Sequence, residues 1–171
     1  MKRYALLPLF SLLMGTSLAS EPAAPQASIV RDAESPMSLA IARTCFITEH
    51  KPNPNAKYYM YLFTASWCSP CRALMPKIVS EYPNMIKDNQ MEVILVSFDD
   101  TAEAALDHLR KFSAPFSLLL YNTEASSGMP GLPPGVDAIP HIIVVDSSGN
   151  FIYRGHGLRY VEWQKRTAPA S

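Results

Sequence analysis

The sequence predicts an α/β fold: a central mixed β-sheet flanked by helices, in two or three layers. Three observations predict it. Short apolar runs alternate with stretches of helical periodicity, as in strand–helix–strand crossovers. Met91–Phe98 is apolar on both faces, as a buried parallel strand should be. Ile142–Val145 and Phe151–Tyr153 flank Asp146-Ser-Ser-Gly-Asn150, a hairpin signature, so part of the sheet runs antiparallel.

The N-terminus reads as an export signal. Met1-Lys2-Arg3 is basic, Tyr4–Met14 is apolar, and the small residues Ser17, Ala19 and Ser20 follow. Residues 1–19 are assigned to a signal peptide, with cleavage after Ala19 or, second, Ser20. The apolar run falls short of the roughly 20 residues that cross a bilayer, so no membrane insertion is expected after cleavage. The expected location is periplasmic or otherwise exported. The formal net charge is +0, and loss of Lys2 and Arg3 leaves the mature chain slightly acidic. Neither nucleic acid nor an anionic membrane is implied as a partner.

Residues 20–56 form a tether and lead-in, rich in Pro, Ala and Ser up to residue 36. A short helix is expected over Met37–Ile47 and a loop over Lys51–Asn55. The main domain spans 57–166, followed by a tail at 167–171. Its first strand is Lys57–Thr64. After Trp67-Cys68-Ser69-Pro70-Cys71, the residues Leu74, Met75, Ile78, Val79 and Tyr82 share one side of a helix. Pro76 should kink this helix, and Pro83 should end or bend it. Asp100 and Glu103 suggest a capping box. Behind them Ala102, Ala105, Leu106, Leu109 and Phe112 make a core-facing stripe, with His108 and Arg110 on the solvated face. Phe116–Tyr121 is a further strand, 122–138 is a loop rich in Gly and Pro, and Leu158–Lys165 is a short closing helix.

The chemistry centres on Cys68 and Cys71. A thiol pair three apart at a strand-to-helix junction is the layout of a disulfide-exchange site. The attacking species is the thiolate, and Cys68 falls at the helix start, where unpaired N–H groups and the helix dipole favour negative charge. Pro70 suits the first turn, because its missing N–H has no helical partner there. Cys71, one turn further in, should be more buried and less acidic. Cys68 is thus assigned the attack and Cys71 the resolution of the mixed disulfide, with Trp67 covering one side. A zinc site needs more ligands, and His50, His108, His141 and His156 form no pair with ligand spacing. No metal is expected. Cys45 reads as a buried, inert thiol, since free Cys is among the most buried residue types.

On these motifs the chain resembles thioredoxin-fold proteins, in particular the exported TlpA/ResA-like thiol–disulfide oxidoreductases and tryparedoxin/nucleoredoxin-type domains. Phe63-Thr-Ala-Ser-Trp-Cys-Ser-Pro-Cys-Arg72 with Pro76 resembles the family's active-site segment. Ile139-Pro140 resembles its cis-proline loop, which implies a cis bond facing the cysteines. The unit Thr101–Tyr121 resembles the inserted helix–strand unit of the TlpA/ResA-like group. The resemblance implies catalytic Cys68 and Cys71, supported by Trp67, Ser69, Pro70, Ile139 and Pro140. Three departures stand out. Leu62 occupies the place of thioredoxin's buried aspartate. Leu74-Met75 stand before Pro76, where the TlpA/ResA-like group often has a glutamate. His141 follows Pro140, where threonine is common, and is read as lining the groove.

The sequence therefore predicts an exported thiol–disulfide oxidoreductase acting on protein substrates as a reductant. The electron-carrying group is the cysteine pair itself, with no bound cofactor. The resemblance implies a membrane or thioredoxin-like electron donor. The alternatives are a copper-binding metallochaperone module using Cys68, Cys71 and a histidine, and a non-catalytic interaction domain with a permanent disulfide. Between the cysteines stand a neutral hydroxyl and a proline, and Arg72 is expected to point away along the helix. The expected potential is therefore roughly −210 to −280 mV, nearer the reductants than the strong oxidants.

Overall fold

A computed structural model of the chain describes residues 34–87 and 90–157. The signal segment, most of the tether, the expected closing helix and the tail lie outside the described residues.

Helix α1 spans Pro36–Arg43. Ser35 caps it by accepting the Ser38 N–H at 3.1 Å, and Pro36 opens it. It ends before the expected Ile47. Thr44 turns extended, and its hydroxyl donates to the Ala40 carbonyl at 2.8 Å, closing the last turn. Met37 and Ile41 are buried, so the lead-in helix packs onto the sheet.

Five strands follow: β1 (Tyr58–Thr64), β2 (Met91–Ser97), β3 (Ser117–Leu120), β4 (His141–Asp146) and β5 (Phe151–His156). The sheet order is β3-β2-β1-β4-β5. The β1–β2 and β2–β3 pairs are parallel, and the β1–β4 and β4–β5 pairs antiparallel, the mixed sheet expected. Crossovers through α2 (Ser69–Met85) and α3 (Ala102–Lys111) join the parallel strands. Alternation along each strand divides the core. Met60, Leu62, Val93, Leu95 and Ile142 pack with α2 and α3 residues such as Leu74, Ile78 and Leu109. Tyr61, Phe63, Ile94, Val96 and Ile143 face α1 and Met129 on the other side. Burying each such side chain contributes about 1.5–3 kcal/mol, which explains why the lead-in helix is held.

Several local expectations change. Helix α2 continues past Pro83 to Met85, so Pro83 does not end it; Pro76 lies inside it as expected, and both prolines are on its exposed side. Its inner residues Leu74, Met75, Ile78 and Tyr82 are buried, and tertiary packing outweighs the missing N–H donors. Helix α3 is capped by Thr101 rather than Asp100. Thr101 is extended, and its side-chain oxygen accepts the Ala104 N–H at 3.2 Å. His108 is buried, 3% exposed, not solvated. Ala105, His108, Leu109 and Phe112 follow the i, i+3, i+4, i+7 spacing of one face. The 122–138 loop contains a short helix α4 (Glu124–Ser127) with a Thr123/Ser126 capping box. Cys45 is exposed, correcting the buried reading.

Candidate active site

β1 delivers the chain to the site and α2 starts there. Cys68 is the N-cap of α2, in an extended conformation, and its Sγ accepts the Cys71 N–H at 3.2 Å. Cys68 and Cys71 form a disulfide with Cα atoms 5.2 Å apart. Cys68 is 5% exposed and Cys71 1%, the expected order of burial. Ser69 and Pro70 form the first turn and are exposed. Trp67, next to Cys68 in the chain, is 63% exposed.

The facing wall comes from the start of β4. Ile139–Pro140 is cis, as the resemblance implies. Cys68 Sγ lies 3.8 Å from the Ile139 carbonyl oxygen, and Ile139, Phe98 and Ala65 pack around the two sulfurs. A groove of about 430 Å³ opens beside the pair, lined by Pro70, Leu74, Lys77, Pro140, His156 and Gly157 among others. The structure thus brings together Cys68, Cys71, Ser69, Pro70, Ile139 and Pro140.

His141 is buried at the first position of β4, beside Phe63 and edge-on to the His156 ring, centroids 5.1 Å apart. Among the described residues its Nε2 meets no hydrogen-bond partner. Burial first, then the nearby His156 and Arg154, hold its pKa below the ordinary imidazole value, with Asp137 opposing. Cys45 borders a separate depression of about 710 Å³ with Arg43 and Glu124 among its walls, sharing no residue with the thiol site.

Sequence reasoning missed a polar network at the ends of β1 and β2. Asp99 is buried and accepts from the Ser66 N–H and from the hydroxyls of Ser66 and Ser97. Arg72 does not point away along the helix: its Nη1 donates back to the Ser66 carbonyl at 2.9 Å. His108 Nε2 and Thr64 Oγ1 are 3.3 Å apart, hydrogen-bonded. Desolvation lowers the His108 pKa, Asp99 opposes it, and Arg72 and Lys111 add to the lowering. The signal available was the run Ser97-Phe-Asp99 closing a buried strand, where a carboxylate needs partners.

The model of the thioredoxin-like family matches residues 55–151, more than half of the chain. The chain belongs to the thioredoxin-like family. It is 32% identical over 102 residues to the thiol:disulfide interchange protein HelX of Rhodobacter capsulatus, covering 58% of this chain and 52% of that one. It is 29% identical over 116 residues to the thiol:disulfide interchange protein DsbE of Tatumella citrea, covering 67% and 58%. Among solved structures, tryparedoxin II of C. fasciculata superposes with a TM-score of 0.53 at 32% identity, covering 66% and 75%. The chain spans about half the length of the curated relatives HelX and DsbE. Among the described residues, no three His, Cys, Asp or Glu side chains are grouped to hold a metal ion, and no helix is long and apolar enough to cross a membrane.

Proposed function

We propose that the chain is an exported thiol–disulfide oxidoreductase that reduces disulfides of protein substrates through Cys68 and Cys71. The observation that carries this reading is the disulfide at the mouth of α2. Cys68 is set at the cap, with a backbone N–H on its sulfur and the Ile139 carbonyl opposite. In the reduced protein the Cys68 thiolate attacks one sulfur of a substrate disulfide and expels the other as a thiolate. The Cys71 thiolate then attacks Cys68 Sγ and releases the second substrate thiol. The substrate gains two electrons and two protons, and the protein is left as the Cys68–Cys71 disulfide. The family membership and the thiol:disulfide interchange relatives support this reading.

The cysteine pair carries the electrons, so no cofactor is assigned. A membrane or thioredoxin-like protein is proposed as the donor that restores the dithiol.

The test is trapping. Cys71→Ser leaves Cys68 able to attack and unable to be resolved, so disulfide-linked partners should accumulate and dissolve on reduction. Absence of adducts with Cys71→Ser, together with no reduction of a protein disulfide by the unaltered chain, refutes the proposal.

A further inference from the structure

We propose that Asp99 is a positioning residue of the thiol site: it sets the acidity of Cys68 by holding the preceding turn through Ser66. It acts by hydrogen-bond geometry and not by its charge. The inference rests on the redox reading above.

Ser66 lies two residues before Cys68, and every one of its polar groups is engaged. Its N–H is shared between the two Asp99 carboxylate oxygens at 3.1 Å each, and its hydroxyl donates to Oδ1 at 2.7 Å. Its carbonyl accepts from Arg72 Nη1 at 2.9 Å. Asp99 is itself fixed: its Oδ2 accepts from the Ser97 hydroxyl at 2.8 Å, and its N–H donates to Ser97 Oγ at 3.0 Å. Ser97 ends β2 in register with Thr64, and the Phe98 N–H donates to the Thr64 carbonyl at 2.8 Å. A bracket therefore runs from the rigid parallel strands, through one carboxylate, to the turn that carries Cys68. A buried carboxylate is tolerated only where such donors converge, and here three of them fix its orientation.

The bracket bears on chemistry through angle. The Cys71 N–H that reaches Cys68 Sγ at 3.2 Å is the donor a Cys68 thiolate would use. Hydrogen bonds weaken steeply with misalignment, so a turn free to drift forfeits part of that stabilisation. Losing the bracket raises the Cys68 pKa. Losing the Asp99 negative charge alone would lower it. The two roles predict shifts of opposite sign.

The experiment compares Asp99→Ala, Asp99→Asn and Ser66→Ala in the full chain, reduced, by pH titration of thiolate absorbance. Bimolecular rates with a small disulfide are measured alongside. Asp99→Ala should raise the Cys68 pKa by about half a unit or more, about a threefold loss in the thiolate-to-thiol ratio, and slow exchange similarly. Asp99→Asn keeps an accepting oxygen for Ser66 and should leave the pKa at or below that of the unaltered chain, rescuing the rate to within about twofold. A lowered or unchanged pKa in Asp99→Ala, or equal shifts in both Asp99 variants, overturns the proposal. If Asp99→Ala does not fold, Ser66→Ala decides: a raised pKa supports the bracket and an unchanged one refutes it. The titration needs no turnover, so a chain inactive in exchange would fail the proposed function and still answer this question.

Discussion

The two buried histidines make the stability of the fold depend on pH. His108 and His141 both have pKa values lowered from 6.5, chiefly by desolvation. Below the unfolded value, the unfolded chain binds protons that the folded chain refuses. Stability therefore rises with pH across the window between the lowered folded pKa and about 6.5, and falls as the pH drops through it. Urea unfolding from pH 7.5 down to 5.5 should show this loss, and His108→Gln should flatten it in part, leaving the His141 share. An equal slope in the variant would remove His108 from the account. The dipeptide Ser69-Pro70 bears on a second property. With a neutral hydroxyl and a proline between the cysteines, the Cys71 backbone N–H on Cys68 Sγ is the thiolate stabiliser the structure shows. Equilibration against glutathione, followed by Trp67 fluorescence, should place the midpoint between roughly −210 and −280 mV. Arg72 folds back over the turn, so a value somewhat toward the oxidising end is expected. A midpoint near about −120 mV would make the protein a disulfide donor. The cysteine pair was legible because its chemistry is local to five residues. His108 was misread because its polar type outweighed its place in the Ala105–Leu109–Phe112 stripe.

Strand β2 shows how an element can be read correctly and still hide a residue. Its apolar run made it a buried strand, and Glu92 within it carried no assigned role. In the structure Glu92 is 4% exposed and ties three segments together. It accepts from the Tyr82 hydroxyl of α2 at 2.6 Å, from the Asn53 N–H at 2.9 Å and from the Val93 N–H at 3.1 Å. Burial, with the Glu92 hydrogen bond and charge, pushes the Tyr82 phenol above its usual value. Burial also raises Tyr59 to about 12, with Glu92 adding to it. No periodicity could reveal this, because the partners come from α2 and from the loop before β1. Replacing Glu92 with Leu removes the shared buried acceptor of these three bonds and should cost about 3 kcal/mol or more in urea unfolding. The thiols lie at the C-terminal ends of β1 and β2 and Glu92 near the start of β2, so the rate with a small disulfide should change less than twofold. A large rate loss in a stably folded Glu92→Leu protein would show that the two ends of the strand are coupled.

At the scale of the molecule, the sequence predicted a mixed sheet under covering helices because strand alternation and crossover lengths allow few arrangements. What it could not show was how the 122–138 segment is held, since its anchors are distant in sequence. Met129 is core, 3% exposed, and the Tyr61 hydroxyl donates to the Pro130 carbonyl at 2.8 Å. Gly131, at φ +71, lies against the β4–β5 hairpin so closely that a Cβ there would meet the Gly149 oxygen at 2.6 Å. The first part of the segment is therefore structural, and Met129 is not available for partner contact. Pro134 to Ala138 differ. Pro134, Gly135, Asp137 and Ala138 are exposed, a Cβ on Gly135 would meet nothing within 4 Å, and Val136 is half-buried. This stretch leads directly into Ile139, whose carbonyl lies beside Cys68. Partner choice is expected to reside there, because an extended substrate crossing the Ile139–Pro140 wall must pass it. Replacing 134–138 with a Gly/Ser segment of equal length should change the set of proteins trapped by Cys71→Ser. Reduction of a small disulfide and thermal stability should stay the same. Gly131→Ala should do the reverse, lowering stability by about 1–3 kcal/mol through strain and contact while leaving the trapped set intact. An unchanged set of partners after the 134–138 replacement would leave the stretch a connector and move selectivity to the groove walls of Pro70, Lys77 and His156.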